Sequence, residues 1–296
     1  MFGRWTSFKS VTLCTLVLAI SYVVAVHHPT SIHAQEDKAR DIISEDFLKN
    51  RRSKPKSMRD PKRSERYQLT SGLTKPVDRS RLLVGMTIWK LEPVAAVYTT
   101  GMQSVQGVDR DRMEWRRVKA GTQFNKGDSL RLSIESPRAG YLYVIDRDCL
   151  IDGTLGETNL IFPTQGEDNR LEAGKLIDIP GQGQVPFKAT PKTNQSGELL
   201  TFIVTSSPLS LPLSSRPLRI TKSQLNAWEE MWGTEADRFE MSGGTGQART
   251  QEEELAASSI GTRQLTREDP LPQTVYSLLS KNKDAILFSV RLSYAW

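Results

Sequence analysis

The middle of the chain alternates between short apolar segments and polar turns. Ser129–Glu135 carries apolar residues at every second position, which is the period of a half-buried β-strand. Tyr141–Ile145 is apolar on both faces, as expected for a central strand that is covered on each side. Turns rich in Gly and Pro separate such segments, and no helical period lies between them. The pattern therefore predicts a mainly β fold, an antiparallel β-sandwich of about seven to eight strands.

One amphipathic helix follows these strands. Leu225, Trp228 and Trp232 fall on one helical face, and Thr221 or Ser223 is placed to cap the start of the helix. Because an apolar stripe of this kind packs against a core, we expect a single α-helix that is packed on the sandwich.

The same patterns divide the chain into five parts. Residues 80–232 hold the predicted sandwich and its helix, residues 233–272 are polar and predict a disordered loop, and residues 273–296 supply a closing strand. Residues 35–79 are predicted to be a basic, flexible linker, because residues 35–67 carry 11 Lys or Arg against 7 Asp or Glu and few apolar side chains.

The first part, residues 1–34, has the pattern of a secretory signal peptide. Arg4 and Lys9 precede an uncharged apolar run from Val11 to Val26, and Ala34 offers a small residue before a cleavage point. This run is short for a membrane-spanning helix, and an uncleaved N-terminal anchor is the alternative interpretation. We therefore expect an exported protein that is periplasmic or associated with the cell envelope.

Export changes the chemistry that the mature chain can carry. All three histidines and one of the two cysteines lie in the predicted signal peptide, which leaves Cys149 and no histidine. A Ser-His-Asp triad or a Cys-His pair needs an imidazole, and typical zinc sites use His and Cys. A single thiol forms no intramolecular disulfide. The sequence thus predicts a chain that is not an enzyme of these classes, with Cys149 as a small buried residue.

The closing segment allows two interpretations. One face carries Phe288, Val290, Leu292, Tyr294 and Trp296, and a face that ends on a C-terminal aromatic residue is typical of the last strand of outer-membrane β-barrels. The alternative is a final strand of the sandwich with this face in the core. The mostly short strands that precede it favour the second interpretation.

A spaced set of motifs runs through residues 82–210. It consists of Gly127-Asp128, Gly140-Tyr141-Leu142-Tyr143-Val144, Phe162-Pro163, Ala173-Gly174, Pro180 and Glu198. This array resembles the bacterial domain-of-unknown-function family numbered 4384. The resemblance implies a β-rich domain of exported bacterial proteins, in its solitary form. It implies structural roles for these residues and gives no activity.

One extended loop supplies a candidate metal site. Asp146, Asp148, Asp152 and Glu157 lie in a Gly-bearing segment, and calcium prefers such clusters of oxygen ligands. Their spacing departs from that of the EF-hand loop. The other interpretation is a long hairpin tip in which Asp and Gly form turns.

A second candidate is a pair of carboxylates for glycoside hydrolysis. Asp178 with Glu198, or Asp178 with Glu135, has the residue types of a general acid and its partner. The sequence does not bring any two of them together. The aromatic residues that such a site uses for stacking are instead expected in the core; they are Trp89, Trp115, Tyr141 and Tyr143.

These observations predict an exported, non-catalytic binding module of the bacterial cell envelope. No cofactor is expected apart from the calcium candidate. The partner is expected to be an envelope protein or an anionic envelope polymer and not a nucleic acid, because the basic linker lacks interleaved aromatic residues. Integral membrane insertion is expected only if the signal peptide is uncleaved. The alternatives are a carboxylate-based hydrolase that acts on envelope glycans and an outer-membrane-associated protein.

Overall fold

Alternating apolar residues of two β-sheets meet in a shared core. The computed structural model describes residues 30–54, 81–100, 103–258, 263–279 and 284–295. These residues form fourteen strands and three helices, so the predicted mainly β sandwich is confirmed. More strands are present than the sequence predicted, because strands of two or three residues are too short to reveal an alternating pattern.

Strands predominate along the chain, and one helix precedes them while two others lie in the second half. The strands are β1 (Arg81–Thr100), β2 (Gln103–Val118), β3 (Gln123–Phe124), β4 (Ser129–Glu135), β5 (Gly140–Leu150), β6 (Asn159–Phe162), β7 (Arg170–Leu171), β8 (Ile177–Ile179), β9 (Phe187–Lys188), β10 (Gln195–Thr205), β11 (Leu218–Arg219), β12 (Ala236–Glu240), β13 (Thr274–Leu279) and β14 (Ala285–Tyr294). The helices are α1 (Thr30–Leu48), α2 (Lys222–Trp232) and α3 (Gln251–Ala257).

Each sheet contains seven of these strands. The first sheet has the order β12-β13-β1-β4-β8, with β2 paired to β1 and β9 paired to β4. The second has the order β11-β6-β5-β10-β14-β3, with β7 paired to β5. The pairings are antiparallel except that of β3 with β14, which is parallel.

The main core lies between the two sheets. Ile88 of β1 and Ile134 of β4 face Val144 of β5 and Phe202 of β10, and all four are almost fully buried. The rings of Phe202 and Phe288 stack with their centroids 5.3 Å apart. On β14, the face that suggested an outer-membrane strand lies in this core, because its alternate residues from Ile286 to Tyr294 are buried there.

The predicted helix covers the outer face of the second sheet. Its Leu225 is buried against Tyr143 and Ile145 of β5, and Trp228 stacks on Trp232 at 5.8 Å. The Thr221 side chain accepts a hydrogen bond from the Gln224 backbone N–H, so Thr221 is the N-cap. This part of the prediction is confirmed.

The polar segment 233–272, predicted as a disordered loop, is ordered over its described residues. Its strand β12 pairs with β13 in the first sheet, and its helix α3 begins at a capping box formed by Thr250 and Glu253. The prediction is wrong because a polar composition does not imply that the side chains are exposed. Arg249 and Glu253 are in fact buried and ion-paired.

The chain divides into two units, residues 1–41 and 42–296. In the first unit the structure describes residues 30–41, the first part of α1, where Arg40 pairs with Glu36 and Asp37. Most of the predicted signal peptide lies outside the described residues. No helix among the described residues has both the length and the apolar character needed to cross a membrane.

The second unit begins within the predicted flexible linker. Residues 42–54 of that linker are ordered, with Phe47 and Arg51 buried, so the linker prediction is wrong for this part. The physical reason is that Arg51 has a buried carboxylate partner, which the composition of the linker does not reveal. Residues 55–79 lie outside the described residues.

Candidate functional site at the end of the second sheet

The first two motif residues, Gly127 and Asp128, lie in the turn that precedes strand β4. Gly127 has a φ of 95°, which favours glycine, and its N–H donates to the Ala189 carbonyl at 2.7 Å. Asp128 closes the same turn, because its carboxylate accepts from the Asn125 N–H at 2.8 Å and lies 3.1 Å from Lys90 Nζ. These contacts give both residues a structural role.

The Gly140–Val144 motif is the start of the central strand β5. Leu142 and Val144 point into the main core, whereas Tyr143 is buried on the outer face and accepts a hydrogen bond from the Leu209 N–H at 2.7 Å. Tyr141 is half-buried on that outer face. A Cβ at Gly140 would lie 2.8 Å from the Thr205 carbonyl oxygen, so the adjacent strand requires a glycine at this position.

The remaining motif residues surround the core. Phe162 is buried, the peptide bonds before Pro163 and Pro180 are cis, and Gly174 has a φ of 78°. Glu198, the last of the motif residues, belongs to a cluster of carboxylates on the second sheet.

The four candidate calcium ligands do not converge. Asp152 accepts from the N–H and hydroxyl of Thr154 at the hairpin tip, and Glu157 pairs with Arg219 at 2.6 Å. The part of the chain that the structure describes holds no group of three or more His, Cys, Asp or Glu side chains placed for a metal ion. At the hairpin tip the side chains of this loop form a turn and ion pairs, which is the arrangement of the alternative interpretation.

Asp146 and Asp148 instead form an acidic cluster with Glu198 on the second sheet. β5 pairs with β10 so that Asp148 lies opposite Glu198 and Asp146 lies opposite Leu200. Directly opposed like charges destabilise a sheet, so each carboxylate needs a partner. Lys192 Nζ lies 2.5 Å from one Asp148 oxygen, and Gln195 Nε2 donates to the other at 2.8 Å.

The other two carboxylates of the acidic cluster have raised pKa values. Burial raises the pKa of Asp146 to about 7, and the nearby charges of Glu198 and Asp148 act in the same direction. Burial also raises the pKa of Glu198, although Tyr294 donates its hydroxyl to that carboxylate. Within the described residues Asp146 Oδ1 is buried and accepts no hydrogen bond.

Asp178 and Glu135 lie elsewhere, on the outer face of the first sheet. The Ser133 hydroxyl donates to Asp178 at 2.6 Å, and Arg249 Nη1 lies 2.8 Å from Asp178 Oδ2. Glu135 forms a buried ion pair with Arg51. The structure does not bring Asp178 or Glu135 to Glu198, so the pairing of Asp178 with Glu198 is wrong. Asp178 and Glu135 share this face, and each is buried against an arginine of its own.

The tryptophans on this face pack against arginines. Trp89 is fully buried and donates its indole N–H to Ser133 at 2.7 Å, while the guanidinium groups of Arg117 and Arg249 lie 5.3 and 5.4 Å from its ring centroid. Trp115 is half-buried beneath Arg131 at 4.9 Å. Arg249 lies just before α3, so its cation–π contact with Trp89 helps to hold the segment around α3 on the sheet.

A cavity of about 460 Å³ opens beside the hairpin tip. It lies where the connection from β5 to β6 meets the connection from β11 to α2. The residues that line it are Leu155, Gly156, Glu157, Thr158, Arg219, Ile220, Thr221 and Lys222. Gly156 donates its N–H to the Asp148 carbonyl at 2.9 Å, so the cavity wall is continuous with the acidic cluster.

Sequence reasoning missed Arg219 and Lys222 at the cavity, and Lys192, Gln195 and Tyr294 at the acidic cluster. These residues come from segments far apart along the chain, and the pairings of β5 with β10, of β10 with β14 and of β6 with β11 bring them to the two sites. Cys149 is buried, as predicted, and burial raises the pKa of its thiol.

Comparison with protein-family models, curated proteins and solved structures finds no match to this chain.

Proposed function

We propose that this chain is an exported, non-catalytic binding module of the bacterial cell envelope, with the cavity beside α2 as its contact site. The observation that carries the proposal is the cavity, whose 460 Å³ lies in the range of about 300–1,000 Å³ that is typical of ligand sites. Two cationic residues, Arg219 and Lys222, line it. The ligand is therefore an acidic group of an envelope polymer or of an envelope protein.

The cavity already holds an ion pair, between Arg219 and Glu157, which an incoming anion could replace. The side chains of Arg219 and Glu157 are 71% and 63% exposed, and such exposed pairs contribute only about 0–1 kcal/mol to folding. An incoming anion can therefore replace Glu157 beside Arg219 at small cost. Because α2 begins at Lys222, the positive end of its helix dipole adds to the attraction.

The position of the carboxylates supports a non-catalytic role. Asp178 and Glu135 are each buried against an arginine on the first sheet, where they hold neighbouring segments in place. Such ion pairs are structural, and neither carboxylate borders the cavity.

The proposal is tested by titrating the chain with soluble anionic polymers. Polyglutamate and poly(glycerol phosphate) are added to the wild type and to the double variant Arg219→Glu/Lys222→Glu, and binding is followed by calorimetry. The matched control is Lys126→Glu/Lys188→Glu, which makes the same change in net charge at two exposed lysines outside the cavity. We expect binding to the wild type and the control only. Equal loss in both variants would indicate attraction by net charge alone.

A second candidate function is a carboxylate-based hydrolase that acts on envelope glycans. It is favoured by Asp146, whose pKa of about 7 suits a general acid and which lies close enough to Glu198 for their charges to interact. The test is turnover of a panel of envelope glycans by the wild type, Asp146→Asn and Glu198→Gln. Cleavage by the wild type that both variants abolish would favour this function over the binding module.

A further inference from the structure

Residues 42–54, which we call the arm, lie in a groove on the outer face of the first sheet. Ile43 and Phe47 of the arm are buried against Leu83 of β1, Val275 of β13 and Met241. The arm is joined to β1 only through residues 55–80. The arm consists of the end of α1 and the six residues that follow it, and it packs on the sheet as a peptide ligand does.

The groove is shaped for the ring of Phe47. A Cβ at Gly85 would lie 2.7 Å from Phe47 Cζ and 2.5 Å from Pro272 Cγ, so only a glycine leaves room for the ring. Phe47 itself is fully buried. A single aromatic side chain in a fitted pocket is the usual anchor of a peptide ligand.

The second anchor of the arm is Arg51. Its Nε and Nη2 donate to the two carboxylate oxygens of Glu135 at 2.7 and 2.5 Å, and both side chains are 1% exposed. The remaining donors of Arg51 reach backbone carbonyls on the far side of the groove. These carbonyls belong to Thr266, Asp269 and Pro270, at 3.0 to 3.2 Å.

Arg267, on the opposite side of the groove, binds the carbonyls that follow the end of α1. It donates to the carbonyls of Lys49 and Arg51 at 2.8 and 3.0 Å, and its N–H donates to the Arg52 carbonyl at 3.0 Å. Cations at the last carbonyls of a helix stabilise that end. The groove thus recognises a helical end, an aromatic side chain and a guanidinium four residues later.

The arm does not fill its groove completely. A cavity of about 210 Å³ remains along one side of the arm, lined in part by Ile43, Lys49, Leu83 and Arg81. Ile42, at the start of the arm, is 59% exposed. Incomplete packing of this kind lowers the cost of separating the arm from the groove.

We propose that this groove is a peptide-binding site, and that the arm of a second copy of the chain can occupy it in place of the chain's own arm. The 26 residues from 55 to 80 separate the arm from β1, and a chain of this length spans at most roughly 90 Å, which allows an arm to reach a neighbouring molecule. Arm exchange would link copies of the module. This goes beyond the proposed function, since the groove lies on the opposite sheet from the cavity.

In the test, the arm is cut from the sandwich only after the full chain has folded. No variant therefore has to fold without an arm. A site-specific protease sequence is placed within residues 55–80, and the folded full chain is cut there. Gel filtration then measures whether the arm fragment stays bound. A fluorescent peptide of residues 42–54 is added next, beside the same peptide with Arg51→Ala, and uptake by the cut protein is measured by anisotropy.

We expect the arm fragment to stay bound and then to exchange with the wild-type peptide. The Arg51→Ala peptide should bind at least about 100-fold more weakly, because it leaves Glu135 buried without its cation. Immediate loss of the arm fragment, equal uptake of both peptides, or no uptake of the wild-type peptide would each overturn the proposal.

Discussion

Asp148 lies directly opposite Glu198 in the antiparallel pairing of β5 with β10. This arrangement of like charges is unfavourable in a sheet, and Lys192, Gln195 and Tyr294 offset it from three other positions. Burial, together with the nearby charges of Glu198 and Asp148, raises the pKa of Asp146, two residues before Asp148, to about 7. The stability of the chain should therefore depend on pH.

The sign of this dependence follows from the proton on Asp146. The folded chain holds that proton up to about pH 7, whereas the ordinary pKa of the carboxyl is 3.8. The stabilising contribution is complete below about pH 4 and is lost as the pH rises through about 7. We expect the free energy of unfolding to fall by on the order of 2–4 kcal/mol over this window, measured by urea unfolding.

Two variants distinguish Asp146 from other carboxylates. Asp146→Asn should flatten the pH dependence between pH 4 and 8, since the amide does not titrate. Asp152→Asn, at the exposed hairpin tip, should leave the fall in stability in place. Parallel curves for the wild type and Asp146→Asn would contradict this assignment.

The ion pair between Arg51 and Glu135 should dominate the attachment of residues 42–54. Arg51→Ala leaves Glu135 buried and unpaired, so we expect a loss of about 3–5 kcal/mol in the free energy of unfolding. The double variant Arg51→Met/Glu135→Leu should lose less than Arg51→Ala, because it removes both charges. A loss below about 1 kcal/mol in the single variant would count against the buried pair.

Gly85 should tolerate no side chain. Gly85→Ala places a methyl group against Phe47 and Pro272, and we expect thermal unfolding to report a loss of about 1–3 kcal/mol. The matched control is Gly121→Ala, where a Cβ meets no atom within 4 Å. Equal melting temperatures for the two variants would contradict this prediction, because they would show that Phe47 and Pro272 move to make room for the methyl group.

Asp178 should hold the segment around α3 on the first sheet. Asp178→Ala leaves the Arg249 guanidinium buried without its closest carboxylate, so this segment should open and trypsin should cleave after Arg249. Asp237→Ala, which removes an exposed carboxylate 3.9 Å from Arg81, should leave the segment protected. The same rate of cleavage after Arg249 in the wild type and Asp178→Ala would refute this role.

Calcium should not stabilise the chain. The carboxylates of Asp148 and Glu157 pair with Lys192 and Arg219, and Asp152 bonds within its own turn. We therefore expect the same melting temperature with millimolar calcium and with a chelator. A rise with calcium that Asp148→Asn abolishes would restore the metal site.

The sheets were predictable because each core strand carries its own local pattern. β4 alternates, the first half of β5 is apolar on both faces, and β14 places its aromatic and aliphatic residues on one side. The helix α2 likewise carries its cap and its apolar stripe within eleven residues. Such elements are recognised from neighbouring residues alone.

The ordered polar segments were not predictable in this way. Arg51, Arg117 and Arg249 are buried because Glu135, Glu253 and Asp178 face them from residues 71 to 136 positions away along the chain. Composition treats such charges as solvated. The candidate site was not predictable for the same reason. The strand register places Arg219 beside Glu157 and Asp148 beside Glu198, and no local pattern reveals that register.

Binding to the envelope itself tests the central claim most directly. Purified wild type, Arg219→Glu/Lys222→Glu and the control Lys126→Glu/Lys188→Glu are each mixed with isolated bacterial envelopes and sedimented at physiological salt. The account predicts that the wild type and the control sediment with the envelopes, while the cavity variant stays in solution. Sedimentation of the cavity variant to the same extent as the wild type would contradict it.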